Sequence, residues 1–238
     1  MRRKSVPSKP VNVILGAMPA SARAKLASRL ERVDLPLMRV LCEAGATLDH
    51  VYFPRTCVLS LLGVAESGDM VETATIGREG AFGLVTGMYS GEAYPRCLVQ
   101  LGGSADRISA PDFKKEFERS FLVRRVVMSY IEALLIQVQQ SVVCANLHPV
   151  EARLARWLLM MRDRAGSNTL PFTQDFLAEI LGVARTTVTV AARKLRSNNL
   201  INYQRGIVQI KDREGLERFA CECYRVVRDH FARLLPRG

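Results

Sequence analysis

Residues 112–145 contain neither glycine nor proline. An unbroken stretch of that length predicts one helix of about 50 Å at 1.5 Å per residue. Phe121, Met128, Ile131, Leu135, Val138, Val142 and Ala145 fall, from Met128 onward, on alternating steps of three and four, the seam of a two-stranded coiled coil, with Arg124 in the remaining seam position. Val123, Val127 and Leu134 supply a second apolar face. The pattern therefore predicts a dimerisation helix over 112–146, one side for the chain's own core and one for a second copy. Asn146-Leu147-His148-Pro149 ends it, because proline disfavours α geometry in the residue before it.

Upstream the pattern changes to short apolar runs broken by glycine: VYFP at 51–54, CVLSLLGV at 57–64, VETATIG at 71–77 and CLVQL at 97–101. They predict a small β-sandwich or barrel over 11–111. A helix is expected over 20–33, with Ser21 as N-cap and Leu26 and Leu30 one turn apart. Residues 1–10 carry Pro7 and Pro10 without apolar periodicity and read as a disordered basic tail.

Charge is distributed unevenly. The formal net charge is +11, yet residues 11–146 hold 14 basic and 14 acidic side chains, residues 147–238 hold 16 against 9, and the first ten add four positives. The middle is neutral and the excess sits at the ends. No apolar run approaches the roughly 20 residues of a membrane span, and the N-terminus has no signal-peptide core, so the expected location is the cytoplasm, with no membrane partner. Six cysteines (Cys42, Cys57, Cys97, Cys144, Cys221, Cys223) lack C-x-x-C spacing and predict no metal site. No catalytic set of histidine, carboxylate and nucleophile is apparent, so the expectation is a non-enzyme without a cofactor.

Beyond the hinge, residues 147–238 read as a C-terminal DNA-binding domain. Leu154, Leu158 and Met161 mark one helix. Thr173 caps a second, whose apolar face is Phe176, Leu177, Ile180 and Leu181. Gly182-Val183 then ends it, and a third helix, 184–197, buries Val188, Ala191, Ala192 and Leu195. Two helices joined through a glycine turn are a helix-turn-helix. Arg185, Thr186, Thr187 and Thr189 stand at the start of its second helix, where arginine can grip guanine O6 and N7 while threonine can bond base or phosphate. Residues 200–203 and 207–210 flank Gln204-Arg205-Gly206 as a hairpin wing. No acidic residue occurs from Ile180 to Ile210, whereas Arg185, Arg193, Lys194, Arg196 and Arg205 do. Thr173, Arg185, Thr186, Thr187, Thr189, Arg193 and Arg205 are the candidate DNA contacts.

VYFP, the glycine-rich IGREGAFG at 76–83, the long helix and TQDFLAEILGVARTTVT at 173–189 occur in an order that resembles the Crp/Fnr family of bacterial transcription regulators. The resemblance runs over nearly the whole chain. It implies an α+β fold: an N-terminal β-roll sensor of the cyclic-nucleotide-binding type, a dimerising helix, and a C-terminal winged helix-turn-helix. It also implies a homodimer on a palindromic operator in double-stranded DNA, with RNA polymerase as a further partner. Arg185 matches the family's first base-reading arginine. The acidic residue that usually follows is Thr186 here, and a further arginine five positions after the first is Val190, so the family's target sequence does not carry over.

In members that bind cyclic nucleotides, a glycine-rich turn works with a glutamate for the ribose and an arginine for the phosphate. Gly77, Gly80 and Gly83 keep the turn. The glutamate position falls near Phe82 and the arginine position at Pro95, with Arg96 one residue off, on the opposite face of a strand. Gly77, Gly80, Phe82, Gly83 and Arg96 form the candidate effector pocket, and cyclic AMP is not the expected effector. No cysteine cluster precedes Cys42 to hold iron–sulfur, and His50 and His148 stand alone as haem ligands. Thiol redox sensing through Cys144, Cys221 or Cys223 is a variant of the same reading. The alternative of a different class is a small-molecule- or nucleotide-binding protein or enzyme built on the β-domain.

Overall fold

A computed structural model describes residues 12–86 and 91–235. The expected basic tail, residues 1–10, lies outside the described residues. Asn12 anchors the start of α1 (Val13–Ala17): its side chain accepts from Leu15 N and donates to the carbonyls of Pro54 and Gly80. The short helix α2 (Ala20–Ala27) follows. The helix expected over 20–33 stops there, because Glu31–Leu35 instead pairs as strand β1 with β7, Arg32 opposite Asp106. Its N-cap is Pro19 and not Ser21.

Six further strands complete the β-roll: β2 (Val40–Cys42), β3 (His50–Pro54), β4 (Val58–Val64), β5 (Met70–Ile76), β6 (Arg96–Leu101) and β7 (Gly103–Ser109). They form two antiparallel sheets, ordered β1-β7-β3 and β2-β6-β4-β5. Leu35, Leu48, Leu59, Phe82 and Val99 are buried in one of their cores. The four apolar runs read from the sequence became β3 to β6. β1 and β7 escaped notice because ERVDL and GSADRIS are too polar to announce a strand.

The single helix expected over 112–145 is two. Ser109 caps α3 (Ala110–Arg119) by accepting from Asp112 N, and Ser120 sits between it and α4 (Phe121–Leu147) in an extended conformation, φ −115° and ψ 112°, accepting from Val123 N. Serine competes for backbone groups and favours caps over helix interiors. The break lets α3 press Phe113 and Phe117 into the core shared with Val51 and Ile108, while α4 leaves at a new angle with Val123, Val127 and Tyr130 on that same core.

The C-terminal region comprises α5 (Val150–Ala165), β8 (Thr169–Leu170), α6 (Gln174–Leu181), α7 (Arg185–Ser197), β9 (Ile201–Gln204), β10 (Ile207–Ile210), α8 (Arg213–Phe219) and α9 (Cys223–Leu234). It is docked on the β-roll. Val58, Leu62, Leu98 and Leu101 share one apolar core with Leu154, Leu158, Leu177 and Val188. Within that junction Glu72 accepts from Ser60 Oγ at 2.6 Å, Gln100 Nε2 at 2.6 Å and Trp157 Nε1 at 2.8 Å. Helix α9 runs back along α4, placing Phe231 and Leu235 against the core that holds Ile14 and Phe113. No described helix is long and apolar enough to cross a membrane.

Candidate nucleic-acid interface and neighbouring sites

The helix-turn-helix forms where the sequence places it. Thr173 Oγ1 accepts from Phe176 N to start α6, and Gly182, at φ 63° and ψ 45°, ends it in the left-handed region that glycine enters without a Cβ clash. Arg153 donates to the carbonyl of Leu181, satisfying one of the last open acceptors of α6. Val188, Ala191, Ala192 and Leu195 are buried beneath α7. Its N-terminus has no side-chain cap and no acidic residue in the first turn. The open N–H groups and the positive end of the helix dipole are therefore free to meet an anion.

Arg185, Thr186, Thr187, Val190 and Arg193 are exposed on this helix. Arg185 pairs with Asp175 of α6 at 3.2 Å, with both side chains about two-thirds exposed, a contact weak enough to exchange for a ligand. Thr189 is half-buried and donates to Gln174 Oε1 at 2.8 Å, so it braces α7 against α6. Lys194 pairs with Glu151 of α5 and holds that carboxyl below its ordinary range. The wing is a two-residue hairpin: Gln204 pairs with Ile207, and Arg205 and Gly206 both have positive φ, 49° and 75°, the mirror-image turn that suits the twist of paired strands. A Cβ on Gly206 would meet Thr173 Cγ2 at 3.3 Å, so the wing turn packs on the start of α6. Thr173 serves as a cap, and Arg205 is exposed at the tip of the wing. β8 adds a third strand to the wing, pairing with β10, which the sequence reading did not anticipate.

Residues 152–219 match the Crp-like helix-turn-helix domain. The chain carries a Crp-like helix-turn-helix domain on a Crp/Fnr-type fold. Among solved structures, the chain is similar to FixK2 from Bradyrhizobium japonicum (15% identity, TM-score 0.68, covering 81% of this chain and 98% of that one). It is also similar to a Crp/Fnr-family regulator from Eubacterium rectale (16% identity, TM-score 0.66, 85% and 94%) and to another from Thermus thermophilus (19% identity, TM-score 0.64, 80% and 98%). No curated protein matches the chain. The matched segment takes in the helix-turn-helix described above, and the expected α+β architecture holds over the described residues.

Outside the Crp-like domain, α4 exposes Phe121, Met128, Leu135 and Val142, each at least half open to solvent and spaced by seven. Ile131 and Val138 are half-buried between them. The opposite face, Val123, Val127 and Tyr130, is buried against the β-roll. Both apolar faces read from the sequence exist on one helix.

The glycine-rich turn is packed by the chain's own residues. A Cβ on Gly80 would stand 2.6 Å from the Tyr130 hydroxyl, and one on Gly77 would stand 2.9 Å from Arg164 Cγ. Gly83 has φ +94° and packs on Leu48. Arg164 of α5 donates to Glu79 at 2.8 Å and to Gln137 Oε1 at 3.0 Å, tying the turn to α4 and α5. Phe82 is buried, bridging to Tyr52. Arg96 is directed to Glu43 at 3.0 Å and to Met70 Sδ at 3.3 Å. Gly80→Ala is expected to destabilise the fold by about 1–3 kcal/mol, the usual cost of overpacking, since Tyr130 is buried and has little room to retreat. Denaturant unfolding of the two proteins measures it.

All six cysteines are free and buried. Three of them are not isolated, and the expectation of scattered thiols without metal-type grouping is corrected here. Cys144 and His148, at the end of α4, meet Cys221 and Cys223 at the start of α9. Three residues lie within one pair and one within the other, but more than seventy lie between the pairs, so local spacing concealed the group. An electropositive setting is present as well: a hydrogen bond from Cys221 and the nearby Arg156 guanidinium both push the Cys144 thiol below its ordinary range.

Proposed function

We propose that the chain is a homodimeric, sequence-specific DNA-binding regulator of transcription, with α7 as its major-groove reader. The observation that carries this reading is the first turn of α7, where Arg185, Thr186 and Thr187 stand exposed at an uncapped helix end. Arg185 would exchange Asp175 for a guanine edge, and Thr186 and Thr187 would bond base or phosphate. Arg193 and Arg205 would contact phosphates on either side, positioning the reader without carrying sequence information. Val190, where the family pattern has arginine, offers a thymine methyl an apolar contact.

The exposed row on α4 supports pairing with α4 of a second copy. Two copies related by a twofold axis would address a palindromic operator with half-sites about 34 Å apart. RNA polymerase is the expected protein partner at a promoter. The β-roll is read as the sensor, for an effector other than cyclic AMP: Phe82 brings no carboxylate to the turn, and Arg96 pairs with Glu43.

The test is selection of bound sites from fragmented genomic DNA, followed by titration of the selected operator with Arg185→Ala. Loss of one bidentate base contact is expected to weaken specific binding about 10- to 100-fold while nonspecific affinity changes little. Unchanged operator affinity in a folded Arg185→Ala protein would overturn the reading.

A further inference from the structure

The donor atoms of Cys144, His148, Cys221 and Cys223 all lie within 4.8 Å of one another. Cys144 Sγ and Cys221 Sγ are 3.5 Å apart, and Cys223 Sγ is 3.4 Å from His148 Nδ1. A tetrahedral site with metal–sulfur bonds of about 2.3 Å and metal–nitrogen bonds of about 2.0 Å has S–S edges of about 3.8 Å and S–N edges of about 3.5 Å. The cluster needs only side-chain adjustment to reach that shape. We propose that these four residues bind a single zinc-type divalent ion, which staples the end of α4 to the start of α9.

Two observations independent of the spacing support the site. His148 Nε2 lies 3.1 Å from Glu222 Oε1. A carboxylate in that place keeps the proton on Nε2 and leaves the Nδ1 lone pair directed at the sulfurs, the outer-shell arrangement common to metal-binding histidines. The second observation is Arg156, only 8% exposed. Its guanidinium bonds Ser141 Oγ at 3.3 Å, its Nε has no hydrogen-bond partner, and no carboxylate pairs with it among the described residues. It lines the same small cavity as Cys144. A buried cation without a counter-charge is costly. Two positive charges on the ion against three thiolates leave one negative charge, and that is the counter-charge Arg156 lacks.

Binding involves no change of oxidation state. Each thiol still protonated passes its proton to solvent as its sulfur–metal bond forms, and His148 enters neutral through Nδ1. Three thiolates with one imidazole favour zinc over magnesium or calcium, and with all four positions filled by protein the site is structural.

The test uses the full chain, purified under reductant without chelator. About one zinc per chain by elemental analysis is expected, and after exchange one equivalent of Co²⁺ should give the intense visible bands of tetrahedral thiolate coordination. Cys221→Ser should abolish stoichiometric binding. Glu222→Gln, which leaves all four donors in place, should weaken zinc affinity about 10- to 100-fold with an unchanged far-UV spectrum. A folded, reduced chain that takes up neither zinc nor tetrahedral cobalt would overturn the proposal. So would a Cys144–Cys221 disulfide formed in place of metal uptake, or zinc affinity unchanged in both variants.

Discussion

Leu135→Glu is expected to leave a folded monomer that no longer holds a two-half-site operator tightly. Leu135 is 54% exposed in the single chain, so a charge there disturbs no core of its own. In the proposed dimer the same position sits mid-seam, with Met128 and Val142 one heptad to either side, and two facing carboxylates would be buried together. Once one half-site is bound, the second binds as an intramolecular event at an effective concentration in the millimolar range, and losing that link costs about 10²- to 10⁴-fold in affinity. Light scattering on the purified protein reads the mass, and operator titration reads the affinity. A Leu135→Glu protein that stays dimeric would show that α4 is not the interface.

Glu72→Ala is expected to lower stability by about 3 kcal/mol. Trp157 Nε1 and Gln100 Nε2 are buried donors, and removing their shared acceptor leaves each to bear its own desolvation penalty of roughly 1–3 kcal/mol. Burial also raises the Glu72 carboxyl, outweighing the hydrogen bonds from Ser60, Trp157 and Gln100 that oppose it. The folded chain therefore holds this proton to higher pH than the unfolded chain. The resulting stability is fully present below the unfolded value, near 4.5, and is lost as pH rises through the raised folded value. Glu72→Gln cannot titrate and should flatten that part of the slope. Urea unfolding at a series of pH values measures both effects.

What could be read in advance tracks how local each determinant is. Thr173 as a cap, Gly182 as a stop and Arg205-Gly206 as a turn act within a few residues, so the helix-turn-helix and its wing were legible to within a residue or two. The heptad row on α4 was legible for the same reason. The break at Ser120 was not, because a serine inside an apolar periodic run looks like any solvent-facing position until the β-roll pulls Phe117 to one side. Strand β1 was lost to a helical reading of Leu26 and Leu30, since its pairing partner β7 lies about seventy residues away and local pattern cannot weigh it. The group around Cys144 failed by the same logic: α9 had no assigned place, and only its return along α4 brings Cys221 and Cys223 to His148.

That return also sets the order in which the molecule can be completed. Ile14 and Leu15 are among the earliest described residues, yet the core that buries them also takes in Phe231 and Leu235. Chains emerging from the ribosome tend to fold their leading segments first. Here that core stays incomplete until Phe231 and Leu235, more than two hundred residues later, have been made, and contacts of such separation close slowly. A chain stopped short of α9 would leave apolar surface exposed on the β-roll side, because Ile14 and Phe113 would lose the cover of Phe231 and Leu235.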